Sequence, residues 1–157
     1  MVFEPAARLL LFLHLLAAVS GASICVHLSV RLWGYLRGRV VKIPHEKLYV
    51  RLLAILYAAC FALGALLYPT FRVRVRRDYF DTDLRWATGL FEVKEHLASV
   101  GLAAVLGAWL LSRELPDPGD PKSWHVLALY TGLVAVVMLV FAFNIWAGWY
   151  LTLLRPV

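Results

Sequence analysis

The chain has 157 residues, of which 62% are hydrophobic and only 17% charged, and its mean hydropathy is +0.73. A soluble domain of this size needs far more polar surface, so the composition excludes that class and predicts an integral membrane protein with one domain, residues 1–157, and little mass outside the bilayer. The net charge of +6 predicts loops that face anionic lipid headgroups rather than a nucleic-acid partner.

The first span is predicted over residues 6–34. Its centre, Leu9 to Val30, holds no Asp, Glu, Lys or Arg. Arg8 followed by LLLFLHLLAAV has the outline of a signal peptide, but the apolar run continues to Val30 and reads as a retained transmembrane helix. A basic loop with Pro44 leads to the second span, residues 46–70, whose charge-free run is Leu52 to Phe71. Crossing the hydrocarbon takes about 20 residues, so both spans are long enough. Cys25 and Cys60 lie within these apolar runs and read as small packing residues, not a disulfide.

The second loop, FRVRVRRDYF, alternates Phe71, Val73 and Val75 with Arg72, Arg74 and Arg76. A period of two predicts a short extended segment with one basic face, either solvated at the headgroups or cradling an anionic group such as haem propionates. The third span, residues 86–113, opens on a charged turn with Glu92, Lys94, Glu95 and His96, and its charge-free run is Leu97 to Ser112. After PDPGDP, the fourth span, residues 123–153, has no charge from Val126 to Leu154. Trp33, Tyr35, Trp86, Trp124, Trp146, Trp149 and Tyr150 fall near span ends, as an aromatic belt requires. The expected fold is an all-α, up-down-up-down bundle of four transmembrane helices. Eight basic residues fall on each side, so the positive-inside rule sets no orientation.

In such a bundle the first and third helices run parallel. His14 near the start of one and His96 near the start of the other then share a layer below one membrane face, joined by Asn144 and the arginines at the end of the second helix. Small residues flank both histidines: Ala17, Ala18, Gly21 and Cys25 on the first helix, and Ser99, Ala103 and Gly107 on the third. They suit either close helix packing or a slot for a flat ligand. His27 and His125 form a second candidate layer at the opposite face.

An intramembrane imidazole is expensive and needs partners. Four readings stand for His14: haem axial ligand opposite His96, ligand of a non-haem metal with Glu92, Glu95 or His96, part of a proton or quinone site, or a hydrogen bond to a neighbouring helix. Bis-histidine haem suits diverging helices. A di-iron site wants Glu-x-x-His on paired helices, a pattern absent here. Within the haem reading, Arg72 and Arg74 are propionate partners, and Glu92 and Asn144 orient or accept protons.

FLHLLAAVSG, LYVRLLAILYAACFALGALLY and FEVKEHLASVGLA together resemble small haem-binding membrane proteins of the haem-containing protoporphyrinogen oxidase family and the copper-resistance D-type family. Their early first-helix His and third-helix Lys map to His14 and Lys94. The resemblance implies a haem b bundle in a bacterial inner membrane, ligated by His14, that exchanges electrons with quinone or other redox subunits. Any enzymatic role would be that of a membrane oxidoreductase. The alternative is a non-catalytic accessory or assembly subunit of a larger membrane complex, alone or as a homo- or hetero-oligomer.

Overall fold

The computed structural model describes residues 6–37, 43–115 and 123–154. Four long helices dominate it: α1 (Ala7–Leu36), α2 (Ile43–Phe71), α3 (Arg85–Leu111) and α4 (Ser123–Leu154). All four are long and apolar enough to cross a membrane. Large apolar side chains such as Leu9, Phe12, Val30, Leu139 and Leu153 point outward, the opposite of a water-soluble bundle.

The helices form a ring in which each packs on its sequence neighbours and α4 closes back onto α1. Every adjacent pair is antiparallel. Arg31 meets Glu46 at one end of the α1–α2 seam and His14 meets Cys60 towards the other. Tyr57 reaches Ala98, while Tyr68 stacks near Phe91. The architecture is thus an all-α, up-down-up-down four-helix bundle, as the four apolar runs and the short connections predict.

The main core lies towards the Arg31 end and contains Cys25, Leu28, Leu53, Val105, Tyr130 and Val137. A smaller cluster, Val75, Phe80, Ala87 and Leu151, closes the other end. Between neighbouring helices, glycines set the spacing. A Cβ on Gly21 would stand 2.8 Å from the Phe141 ring, and one on Gly101 would collide with the Tyr57 hydroxyl. The close approach lets the Tyr57 hydroxyl donate to the Ala98 carbonyl at 2.9 Å.

The expected extended segment at FRVRVRR is not extended. Among the described residues there is no strand, and Arg72–Phe80 forms a π-helix that continues α2, followed by one helical turn at Asp81–Asp83. Pro69, near the end of α2, lacks the N–H for an α-type bond and crowds the preceding turn. Three residues later the wider i→i+5 pattern begins. Its inward positions, Phe71, Val75 and Phe80, recur at spacings of four and five, and Val75 and Phe80 are buried. Burying these apolar side chains on one face outweighs the local two-residue alternation that suggested a strand. The second helical rod therefore runs on past residue 70, and the reversal into α3 is made by Leu84 alone (φ −137°, ψ 59°).

Replacing Gly101 by Ala should lower stability by about 1–3 kcal/mol, because Tyr57 and Val140 have to move. Gly132→Ala, where an added Cβ meets nothing within 4 Å, should be neutral or stabilising by up to about 1 kcal/mol. Unfolding of both variants in detergent micelles measures the difference.

Candidate functional site

The interior between the two apolar clusters holds a polar layer made from three helices. His14, on the second turn of α1, is half-buried and faces α2. Its Nδ1 lies 2.9 Å from the Cys60 carbonyl oxygen. A carbonyl only accepts, so Nδ1 carries the proton and Nε2 keeps the lone pair. The Cys60 sulfur sits 3.6 Å from Nδ1 and 4.0 Å from Nε2, and its thiol leans on the His14 carbonyl at 3.8 Å. Gly64, one turn beyond Cys60, makes room for the ring: a Cβ there would come within 3.3 Å of His14 Cε1.

Lys94 enters the same layer from α3. Its stem lies along α4, with Cε 3.5 Å from where a Cβ of Gly148 would stand, and Nζ lies 5.6 Å from the centre of the Phe91 ring. Its amine is desolvated, and its charge reaches both His14 and Cys60. Among the described residues it forms no hydrogen bond or ion pair; Glu95 is the carboxylate whose charge acts on it. An ammonium withdrawn from water inside a membrane span costs about 2.5–3.5 kcal/mol on insertion scales, so a desolvated lysine without a bonded counter-ion marks a candidate functional group.

The other expected site residues are distributed differently. His96 is exposed, and its Nδ1 donates to the Glu92 carbonyl of its own helix at 2.7 Å. Glu92 is drawn across to Arg76, whose guanidinium bonds its Oε1 at 2.8 Å and lies 3.5 Å from Asp81. This ion pair joins the π-helix to α3. Arg72 and Arg74 are exposed at the same end of the bundle. Asn144 turns back on its own helix and donates to the Val140 carbonyl at 2.9 Å. Of the small-residue stripe on α1, Ala17, Ala18, Gly21 and Cys25 are buried against neighbouring helices, with Phe141 filling the space over Gly21, whereas Ser99 and Ala103 on α3 are exposed. At the opposite end, His27 packs on the Tyr49 ring with centroids 4.7 Å apart, and both His27 and His125 are exposed.

A second polar centre, unforeseen in the sequence, occupies that opposite end. Glu46 is fully buried; its Oε1 accepts from Arg31 Nε and, at 2.7 Å, from the Tyr35 hydroxyl. Arg31 Nη2 donates to the same hydroxyl at 3.0 Å. Tyr35, placed by sequence in the aromatic belt, points inward instead. The available signal was the separation of only 15 residues between Arg31 and Glu46, which lets opposite charges near two helix ends meet.

Among the described residues no group of three or more His, Cys, Asp or Glu side chains could hold a metal ion, so the non-haem metal arrangement is not assembled. Among the described residues, His14 Nε2 has no hydrogen-bond contact closer than the Cys60 sulfur at 4.0 Å. A ligating imidazole commonly donates its other N–H to a backbone carbonyl, which is the arrangement seen with Cys60. No family model, curated protein or solved structure matches the chain.

The geometry fixes a measurable tautomer. Nitrogen-15 NMR of the cofactor-free protein should show neutral His14 protonated at Nδ1. Gly64→Val, which drives a larger side chain into the ring, should abolish that single-tautomer signal.

Proposed function

We propose that this chain is a b-type haem-binding protein of a bacterial inner membrane that passes electrons to or from quinone or a partner redox subunit. The observation that carries the reading is a pair of nitrogen side chains, His14 and Lys94, drawn from opposite helices of the ring into one interior layer and seated on Gly64 and Gly148. His14 would hold the haem iron through Nε2, and the Cys60 carbonyl holds the ring by its Nδ1–H. Lys94 is the better second ligand in this layer, because His96 is exposed on its own helix. Ligation would use the amine in its unprotonated form, which alone has a free lone pair. Arg72 and Arg74, at the adjacent end, are the candidate partners for propionates. When bound, haem supplies a one-electron iron couple whose potential is tuned by the axial ligands and by burial. The chain's own contribution is to orient His14, exclude water from Lys94 and place positive charge at the membrane face.

The filled stripe over Gly21 and the collision course at Gly101 favour a second reading, in which tight helix packing is the purpose and the chain is a non-catalytic accessory subunit.

An absorption spectrum separates the two. The purified protein should show a Soret band and, on reduction, an α-band. His14→Ala should lose most of the haem, Lys94→Met should shift both bands, and His96→Ala should leave them unchanged. A colourless protein that co-purifies with stoichiometric membrane partners overturns the haem reading and supports the accessory role.

A further inference from the structure

The outer surface of the bundle is dominated by large apolar side chains, but α3 carries a polar patch on its lipid-facing side. Glu92, His96, Ser99, Ala103, Leu106 and Leu110 recur at alternating spacings of four and three along one face, and all but the half-buried Glu92 are exposed. The patch is not at the membrane surface. Gly101 meets Val140 and Gly148 meets Lys94, so α3 runs against α4 with His96 at the level of Ile145 and Trp146. That level lies about 13 Å inside the charge-free run that ends at Leu154. Within the patch Arg76 bonds Glu92, and the Ser99 hydroxyl donates to the Glu95 carbonyl at 3.2 Å. The His96 ring uses Nδ1 on the Glu92 carbonyl, which leaves Nε2 for another group. The carboxylate of Glu95, the residue before His96, makes no hydrogen bond or ion pair among the described residues. Ionisable side chains in a span normally face the bundle interior or a polar partner; His96 faces out.

We infer that α3 of a second copy of this chain covers the patch, with each His96 Nε2 hydrogen-bonded to Glu95 of the partner subunit. A two-fold axis along the membrane normal sets identical residues at one depth and makes the two α3 helices parallel. An acid and a base side by side on one helix are then self-complementary, and each supplies what the other lacks. The alternation of four and three is also the seam of two parallel helices, where every side chain on it enters a hole between four residues of the facing helix. For His96 those four are Glu92, Glu95, His96 and Ser99 of the partner subunit, so the polar residues of one copy enclose those of the other. Nε2 and the carboxylate share one proton, so each pair is neutral in the hydrocarbon. Ser99 and Ala103 are small enough for the two backbones to approach.

Cysteine cross-linking in phosphatidylcholine vesicles tests the seam. Ala103→Cys, which leaves the polar residues untouched, should give an oxidised dimer, and Val136→Cys, on the outer face of α4, should not. The native Cys25 and Cys60 are common to both variants. Energy transfer between donor- and acceptor-labelled copies, followed as lipid dilutes the protein, measures the association itself. Glu95→Leu and His96→Leu should each weaken it by on the order of tenfold, since each removes both interhelical bonds of the dimer. The double variant should then be no weaker than either single one. A wild-type chain that stays monomeric at high protein-to-lipid ratio, a dimer that links through Val136→Cys instead, or additive losses in the double variant overturns the seam. Capture of a different polypeptide by Ala103→Cys in native membranes overturns the choice of a second copy. None of these readouts needs a chromophore, so they stand apart from the haem spectrum.

Discussion

Helices whose outer faces are as apolar as lipid gain little from hydrophobic association with one another, so the bundle depends on how closely their backbones approach. Glycine sets that approach. Gly21 receives the Phe141 ring and Gly101 the Tyr57 hydroxyl, while Gly64 and Gly148 receive His14 and Lys94. The first pair brings helices together and the second leaves space for side chains with nitrogen at their tips. The same small residue thus serves cohesion in the core and accommodation in the layer beneath it.

Polar groups gather at two levels with an apolar core between them. At the Arg31 end the group is charge-balanced and buried: the Glu46 carboxylate is bonded by the Arg31 guanidinium and the Tyr35 phenol across the α1–α2 seam. At the His14 end Nε2 has the Cys60 sulfur at 4.0 Å, and the Lys94 amine is desolvated without a bonded counter-ion among the described residues. A charge-balanced pair across a seam suits a structural tie. A desolvated amine in the same layer as an imidazole is the arrangement on which the proposed ligand site rests.

Much of the architecture was legible because the bilayer imposes a length and a polarity on every crossing helix, and four charge-free runs meet both. The level of His14 and of the third-helix mouth was legible too, since antiparallel neighbours fix depth by counting from the helix start. The rotational setting of each helix was not. His96 and Lys94 are two residues apart, and only contacts with other helices decide that Lys94 turns inward while His96 is exposed. The contact comes from α4, at Gly148, which no local pattern links to Lys94. Glu46 was obscured for a related reason: among the charges of a basic loop it reads as a solvated residue, and only its burial and its contact with Arg31 show it to be internal.

The π-helix from Arg72 to Phe80 has a consequence for how this segment could change. A wide turn is an ordinary helix carrying surplus residues, so its frame is tied to its length. Excising one residue there would pull the winding towards the α pattern, and the spacing of four and five that puts Phe71, Val75 and Phe80 on one face would be lost. The aromatic plug at Phe80 and the arginine clasp on Glu92 would then no longer face α3 together. With Leu84 as the whole hinge, no slack exists to absorb the change. This stretch should therefore tolerate exchange of side chains far better than any change in the number of its residues.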